Sequence, residues 1–213
     1  MKLISVEDSR IVSLVGIQMN KGQPYLPDLV AALVERYGFL RFPSTYEEIV
    51  ADKSVFAMGK WQGVQIEEMT TYSDGIIVRM KTSTSVSESF IDDLYNLALE
   101  KFGLERVSSP GERRLFESAV VVQFEKDVAQ RLSFTEGLRR SVEGCLSNYG
   151  AGDYEYQPGS FQLDADATQH AEGKPIPFSL VRRVRTPFDD NIWFSSAPLR
   201  TDDHVETLRL LDA

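Results

Sequence analysis

The sequence predicts an α+β protein: a mainly antiparallel sheet with amphipathic helices packed on it, then a smaller β-rich C-terminal segment ending in a helix. Three observations carry this expectation. Two apolar, strand-like runs flank Ser73-Asp74-Gly75, and Asp-Gly is a strong short hairpin signal. Val86, Phe90, Ile91, Leu94, Leu97, Ala98 and Phe102 then recur at helical spacing. After Asn148 the composition turns to Gly, Asp and Tyr, and helical patterns vanish until the C-terminus. With no polar linker, residues 1–150 read as an α+β core domain and 151–213 as a β-rich subdomain packed on it.

The elements follow in order. Residues 3–7 and 10–18 look extended, the second run rich in β-branched and aliphatic side chains. Lys21-Gly22-Gln23-Pro24 ends it. Pro27 suits the first turn of a helix whose buried stripe is Leu29, Val30, Leu33, Val34 and Tyr37, stopped by Gly38. Ser44 and Glu47 form a capping box for a short helix. Phe56 to Trp61 is a strand leading into the hairpin of 63–82, with Trp61 read as core packing ahead of a pocket wall. Val64, Ile66 and Met69 point one way, and Ile76, Ile77 and Val78 form a denser, more interior run. A tight Asp-Gly turn calls for positive φ, and turn chemistry explains Tyr72 and Asp74 without a ligand.

Ser85 and Glu88 form a second capping box, and Gly103 sits where a left-handed C′ residue belongs. Asp92 and Asp93 lie on the opposite face. Neighbouring helical residues diverge by about 100°, so a solvated face accounts for them better than a shared ion. Ser108-Ser109-Pro110-Gly111 is a turn, and Ala119 to Val122 sit in an interior strand within Leu115 to Phe124. Ser133 and Glu136 give a third box, with Asp127 as an alternative start. Phe134, Leu138, Val142, Cys145 and Tyr149 form the stripe behind it. Tyr154 to Leu163, Ile176 to Val184 and Ile192 to Phe194 look extended. Thr201-Asp202-Asp203 begins a last helix with Val205, Leu208 and Leu211 buried.

Composition bounds function. The 213 residues suffice for a sizeable core. A net charge of −9 argues against sequence-independent nucleic-acid binding. The single cysteine, Cys145, excludes an internal disulfide and reads as a buried thiol in a reducing cytoplasm. The N-terminus lacks the apolar core of a signal peptide. No apolar run approaches the ~20 residues of a membrane span, so a soluble cytoplasmic protein is expected.

No stretch commits the chain to a chemistry, and catalytic residues, metal ligands and cofactors are all assigned as none. Asp164, Asp166 and His170 resemble a ligand set but lie in a polar loop that collects such residues freely. Asp202 and Asp203 suit a helix dipole, and His204 is a general base only if it is exposed to substrate. Ser195-Ser196 lacks the Gly-x-Ser-x-Gly elbow of a hydrolase nucleophile. Glu67, Glu68, Arg79 and Lys81 near the hairpin lack a compelling nuclease spacing. Arg113-Arg114 and Arg139-Arg140 are small basic pairs. Arg182, Arg183 and Arg185 form the main basic cluster, followed by Phe188, Trp193 and Phe194. Arginine and aromatic side chains are enriched at interface centres. These six residues are the expected partner-binding set of a non-catalytic binding or assembly protein, a homo-oligomer or an accessory subunit. A metal-dependent hydrolase or nuclease using Asp164, Asp166, His170 or His204 is the alternative. An RNA-binding module ranks behind it.

Overall fold

The computed structural model describes residues 1–19, 25–107, 113–149, 156–166, 168 and 175–213. The chain is α+β, with antiparallel pairing in every described ladder. It divides into two compact units. One comprises Val6–Ala119 with Pro198–Thr201; the other comprises Met1–Ser5, Val120–Ala197 and Asp202–Ala213. Position 150 falls within the span of the second. The expected turns at 21–24 and 108–111 lie outside the described residues.

The larger unit runs through most of β1 (Lys2–Leu14), β2 (Gly16–Met19), α1 (Leu26–Tyr37), α2 (Tyr46–Ile49), β3 (Lys53–Trp61), β4 (Val64–Tyr72), β5 (Gly75–Met80), α3 (Thr84–Phe102), β6 (Leu104–Val107) and the first part of β7 (Arg113–Gln123). Its strand order is β3-β4-β5-β1-β7, and β2 pairs separately with β6. β5 is therefore interior, and Ile76, Val78 and Met80 all turn to the core. Ile66 and Met69 are both fully buried although three apart. A register shift between Ile66 and Glu68 supplies the extra residue that returns Met69 to the core face.

The hairpin turn differs from expectation. Neither Ser73, Asp74 nor Gly75 has positive φ; Gln62 and Gly63, joining β3 to β4, do. Gly75 serves close approach instead. It pairs with Leu14 of β1, and a Cβ there would stand 2.4 Å from the Ser13 carbonyl oxygen.

α3 buries Phe90, Ile91, Leu94, Tyr95 and Leu97. Hydrogen bonds fix its position as well as apolar packing. The Ser9 and Ser87 hydroxyls lie 2.7 Å apart, and Ser13 Oγ lies 3.2 Å from Tyr95 Oη. Its predicted Ser85–Glu88 capping box does not form. Ser83 is the N-cap, and the Thr84 amide donates to Thr201 Oγ1 while the Thr201 amide donates to Thr84 Oγ1, both at 2.9 Å. Glu88 is drawn instead to Arg114 and Arg200, each at 3.3 Å. The earlier box forms one residue later than predicted, between Thr45 and Glu48. Gly38 and Gly103 close α1 and α3 in the left-handed conformation, as expected.

The smaller unit contains the end of β7, α4 (Val128–Arg131), α5 (Glu136–Asn148), β8 (Ser160–Leu163), β9 (Phe178–Arg182), β10 (Ile192–Ala197) and most of α6 (Thr201–Arg209). Its strand order is β7-β10-β9-β8. Asp127 caps α4 by accepting from the Ala129 amide, and a 3₁₀ turn at Ser133–Thr135 precedes α5. Cys145 is exposed rather than buried, and no residue of α5 is buried. The apolar stripe there does not meet the core.

Gly75→Ala tests this account of β5. Forcing a methyl group against the β1 backbone should cost about 1–3 kcal/mol in urea denaturation. A loss below about 0.5 kcal/mol would contradict it.

Candidate functional site

Sequence reasoning singled out the segment from Arg182 to Phe194, which forms the end of β9, the β9–β10 connection and the start of β10. Trp193 pairs with Arg182 across the ladder, and the Arg183 amide donates to the Ile192 carbonyl at 2.9 Å. Arg185 takes a left-handed φ of 65°, unusual for a side chain of its size. A 3₁₀ turn over Phe188–Asp190 ends at Asn191, also left-handed.

Asn191 fastens this connection, and sequence reasoning missed it. Its side-chain amide donates to the carbonyls of Phe124 and Lys126, and its Oδ1 accepts from the Trp193 indole at 2.8 Å. The signal available was an Asp-Asp-Asn turn, since asparagine tolerates the left-handed region.

The predicted partner-binding set divides by burial. Trp193 is 0% and Arg182 8% exposed. The Arg182 guanidinium lies 4.8 Å from the Trp193 ring centroid and 4.5 Å from that of Phe188. Its terminal nitrogens donate to the Phe188 carbonyl at 2.9 Å and to Gln157 Oε1 at 3.0 Å. Nε is buried without a hydrogen-bond partner among the described residues. Burial pulls this arginine below its ordinary range, with the Asp127 charge opposing. Phe194 is half-buried, while Arg183, Arg185 and Phe188 are exposed. Val184, at 80% exposure, joins them. The outer residues of the cluster thus stand on a loop fixed from beneath by the inner ones.

His204 meets Ser195 in the interior of the same unit, both fully buried. His204 Nε2 and Ser195 Oγ lie 2.8 Å apart, and that hydroxyl donates to the Ser179 carbonyl at 2.8 Å. A hydroxyl has one proton, so Nε2–H must donate to Ser195. The imidazole is then no base toward this serine, and burial pulls its pKa down to about 4. Asp164 accepts from Gln162, and Asp166 accepts from the amide and hydroxyl of Thr168. His170 lies outside the described residues. Among the described residues no cluster of three potential metal ligands occurs.

The larger unit carries an open groove of about 450 Å³ lined by Trp61, Gln62, Val86, Ser89, Asp92, Asp93 and Asn96. Trp61 therefore serves both readings: it packs edge-on against Phe90 and forms a groove wall. The groove's acids are taken up by neighbours. Asp93 accepts from Arg36 at 2.9 and 2.5 Å and from Tyr37 Oη at 2.8 Å. The Arg36 bond, foremost, holds its carboxyl below the usual range. Asp92 accepts from Arg114 at 2.6 Å. Glu67 pairs with Lys81 at 2.9 Å and with Arg79 at 3.5 Å.

No family model matches the chain, and no curated protein matches it. No helix among the described residues is long and apolar enough to cross a membrane.

The buried histidine predicts a pH dependence of stability. Unfolded, it takes a proton near pH 6.5; folded, only near pH 4. Its contribution is therefore fully present above pH 6.5 and lost as pH falls toward 4, in total roughly 3 kcal/mol. Urea unfolding of the wild type and His204→Gln between pH 4 and 7.5 should show a shallower slope for the variant. Equal slopes would contradict the assignment.

Proposed function

We propose that the protein is a non-catalytic binding or assembly protein, an accessory subunit that docks a protein partner through the β9–β10 connection. The observation that carries this reading is the division of labour around Arg182. Arg182 and Trp193 are consumed in the interior, while Arg183, Val184, Arg185 and Phe188 are held outward on a fastened loop. A loop fixed before contact loses less conformational entropy on binding. Exposed arginines beside an aromatic ring suit an acidic, partly apolar protein surface. The exposed thiol of Cys145 is compatible with a reducing cytoplasm, where we place the protein. The full burial of His204, with its Nε2 bonded to Ser195, weighs against its serving as the general base of the metal-dependent hydrolase alternative.

Affinity purification from native extract tests the reading with a triple variant, Arg183→Glu, Val184→Glu and Arg185→Glu. The wild type should retain a stoichiometric protein partner. The variant should lose it while its midpoint temperature falls by no more than about 4 °C, as for partly exposed sites. Trp193→Ala, by contrast, should cost about 3–5 kcal/mol of stability, as a core truncation does. Partner retention by the triple variant, or the absence of any partner of the wild type, would overturn the proposal.

A further inference from the structure

The groove of about 450 Å³ in the larger unit falls within the range of small-molecule sites, about 300–1,000 Å³. One of its sides is the outward face of α3. Ser89, Asp93 and Asn96 recur there at spacings of four and three, with Asp92 beside them. The other side is the β3–β4 turn, which brings Trp61 and Gln62. Gln62 holds a left-handed φ of 47°, a conformation that asparagine or glycine adopts more readily. The turn by itself therefore does not call for glutamine.

The charged and the neutral groups of the groove stand in different conditions. Among the described residues no cation lines it. Asp93 spends both oxygens on Arg36 and Tyr37, and Trp61 points its indole N–H at the same carboxylate. The indole is thereby held in place. Asp92 gives Oδ1 to Arg114 at 2.6 Å and to Arg106 at 4.0 Å, which leaves Oδ2 open on a half-exposed side chain. The carboxamides of Gln62 and Asn96 are exposed and bond to no described residue. Each offers two N–H donors and a carbonyl acceptor. What the groove holds uncommitted is thus one aromatic wall, two carboxamides and one carboxylate oxygen.

We propose that this groove binds a neutral saccharide. A pyranose ring has an apolar C–H face and a rim of hydroxyls. The C–H face stacks on the Trp61 indole. The rim donates to Asp92 Oδ2, a charge-assisted bond, and both donates to and accepts from Gln62 and Asn96. A cationic ligand fits less well, because both carboxylates already have guanidinium partners. A nucleobase fits less well too, since it has two apolar faces and the groove supplies one aromatic wall. The groove is open to water, so a dissociation constant on the order of 1 mM is expected. This site does not rest on the function proposed for the β9–β10 loop.

Two-dimensional NMR of the isotope-labelled full chain tests the proposal with maltose, cellobiose, lactose and N,N′-diacetylchitobiose. Each is taken to about 20 mM, well above such a dissociation constant. At least one should move the Trp61 indole and the Gln62 and Asn96 side-chain amide signals along one saturable curve, leaving the buried Trp193 indole in place. Trp61→Ala should abolish binding. Because Trp61 also packs on Phe90, two variants that leave the core untouched accompany it. Asn96→Ala should weaken binding about tenfold, as loss of a hydrogen bond does. Gln62→Gly should weaken it similarly while keeping or raising the midpoint temperature, because glycine suits the left-handed turn. The loop variant Arg183→Glu, Val184→Glu and Arg185→Glu should bind as the wild type does. The proposal is overturned if none of these sugars gives a saturable shift, or if the shifts survive Asn96→Ala and Gln62→Gly unchanged. Saturation of the groove by spermidine or adenosine but by no sugar would overturn it as well.

Discussion

The smaller unit depends on a guanidinium taken out of water. Arg182 is held between two aromatic rings, with its terminal nitrogens bonded to the Phe188 carbonyl and to Gln157. Burying a charge is costly, and the ring contacts offset part of that cost, at about 2 kcal/mol or more each when desolvated. The bond to the Phe188 carbonyl and the stacking on its ring act on one residue of the connection. Asn191 holds its other end to Phe124 and Lys126. A nine-residue excursion between two strands is thereby fixed at both ends, and its outward side chains inherit a defined position.

The same economy governs the other polar groups that looked chemically suggestive. Ser195 and His204 satisfy each other and a strand carbonyl in the interior. Asp93 neutralises Arg36 and anchors Tyr37, and Glu88 joins Arg114 and Arg200. Each group meets the requirement that buried or half-buried polar atoms find partners. Arginines, Val184 and Phe188 on the β9–β10 loop, and Leu138 on α5, are among the exposed side chains. Those residue types bind by area and complementarity rather than by bond-making.

Local patterns revealed most of the elements and little of their partnering. The α3 stripe and the glycine stops at 38 and 103 were legible because helix period and left-handed caps are local properties. The Ser85–Glu88 box failed because two distant arginines compete for Glu88 and a distant threonine takes over the cap. Gly75 was rightly placed beside a turn but for the wrong reason, since its glycine answers to a third strand. The aromatic and arginine cluster was visible as composition. Its division into Arg182 and Trp193 within and Phe188 without follows from strand alternation and from Asn191, neither of which composition encodes. Periodicity reports that α5 is amphipathic, not what covers its apolar face, so the sequence predicts a core stripe in a helix with no buried residue.

Arg182 is an interior strut fixing the β9–β10 connection, and its own Nε proton reports on that directly. Proton NMR of the arginine side chains, with exchange measured against water, would settle it. A buried strut gives a separate Arg182 Nε–H resonance that exchanges far more slowly than those of Arg183 and Arg185, with cross-relaxation to the rings of Trp193 and Phe188. An Arg182 proton that exchanges as fast as those of its exposed neighbours, with no contact to either ring, would contradict it.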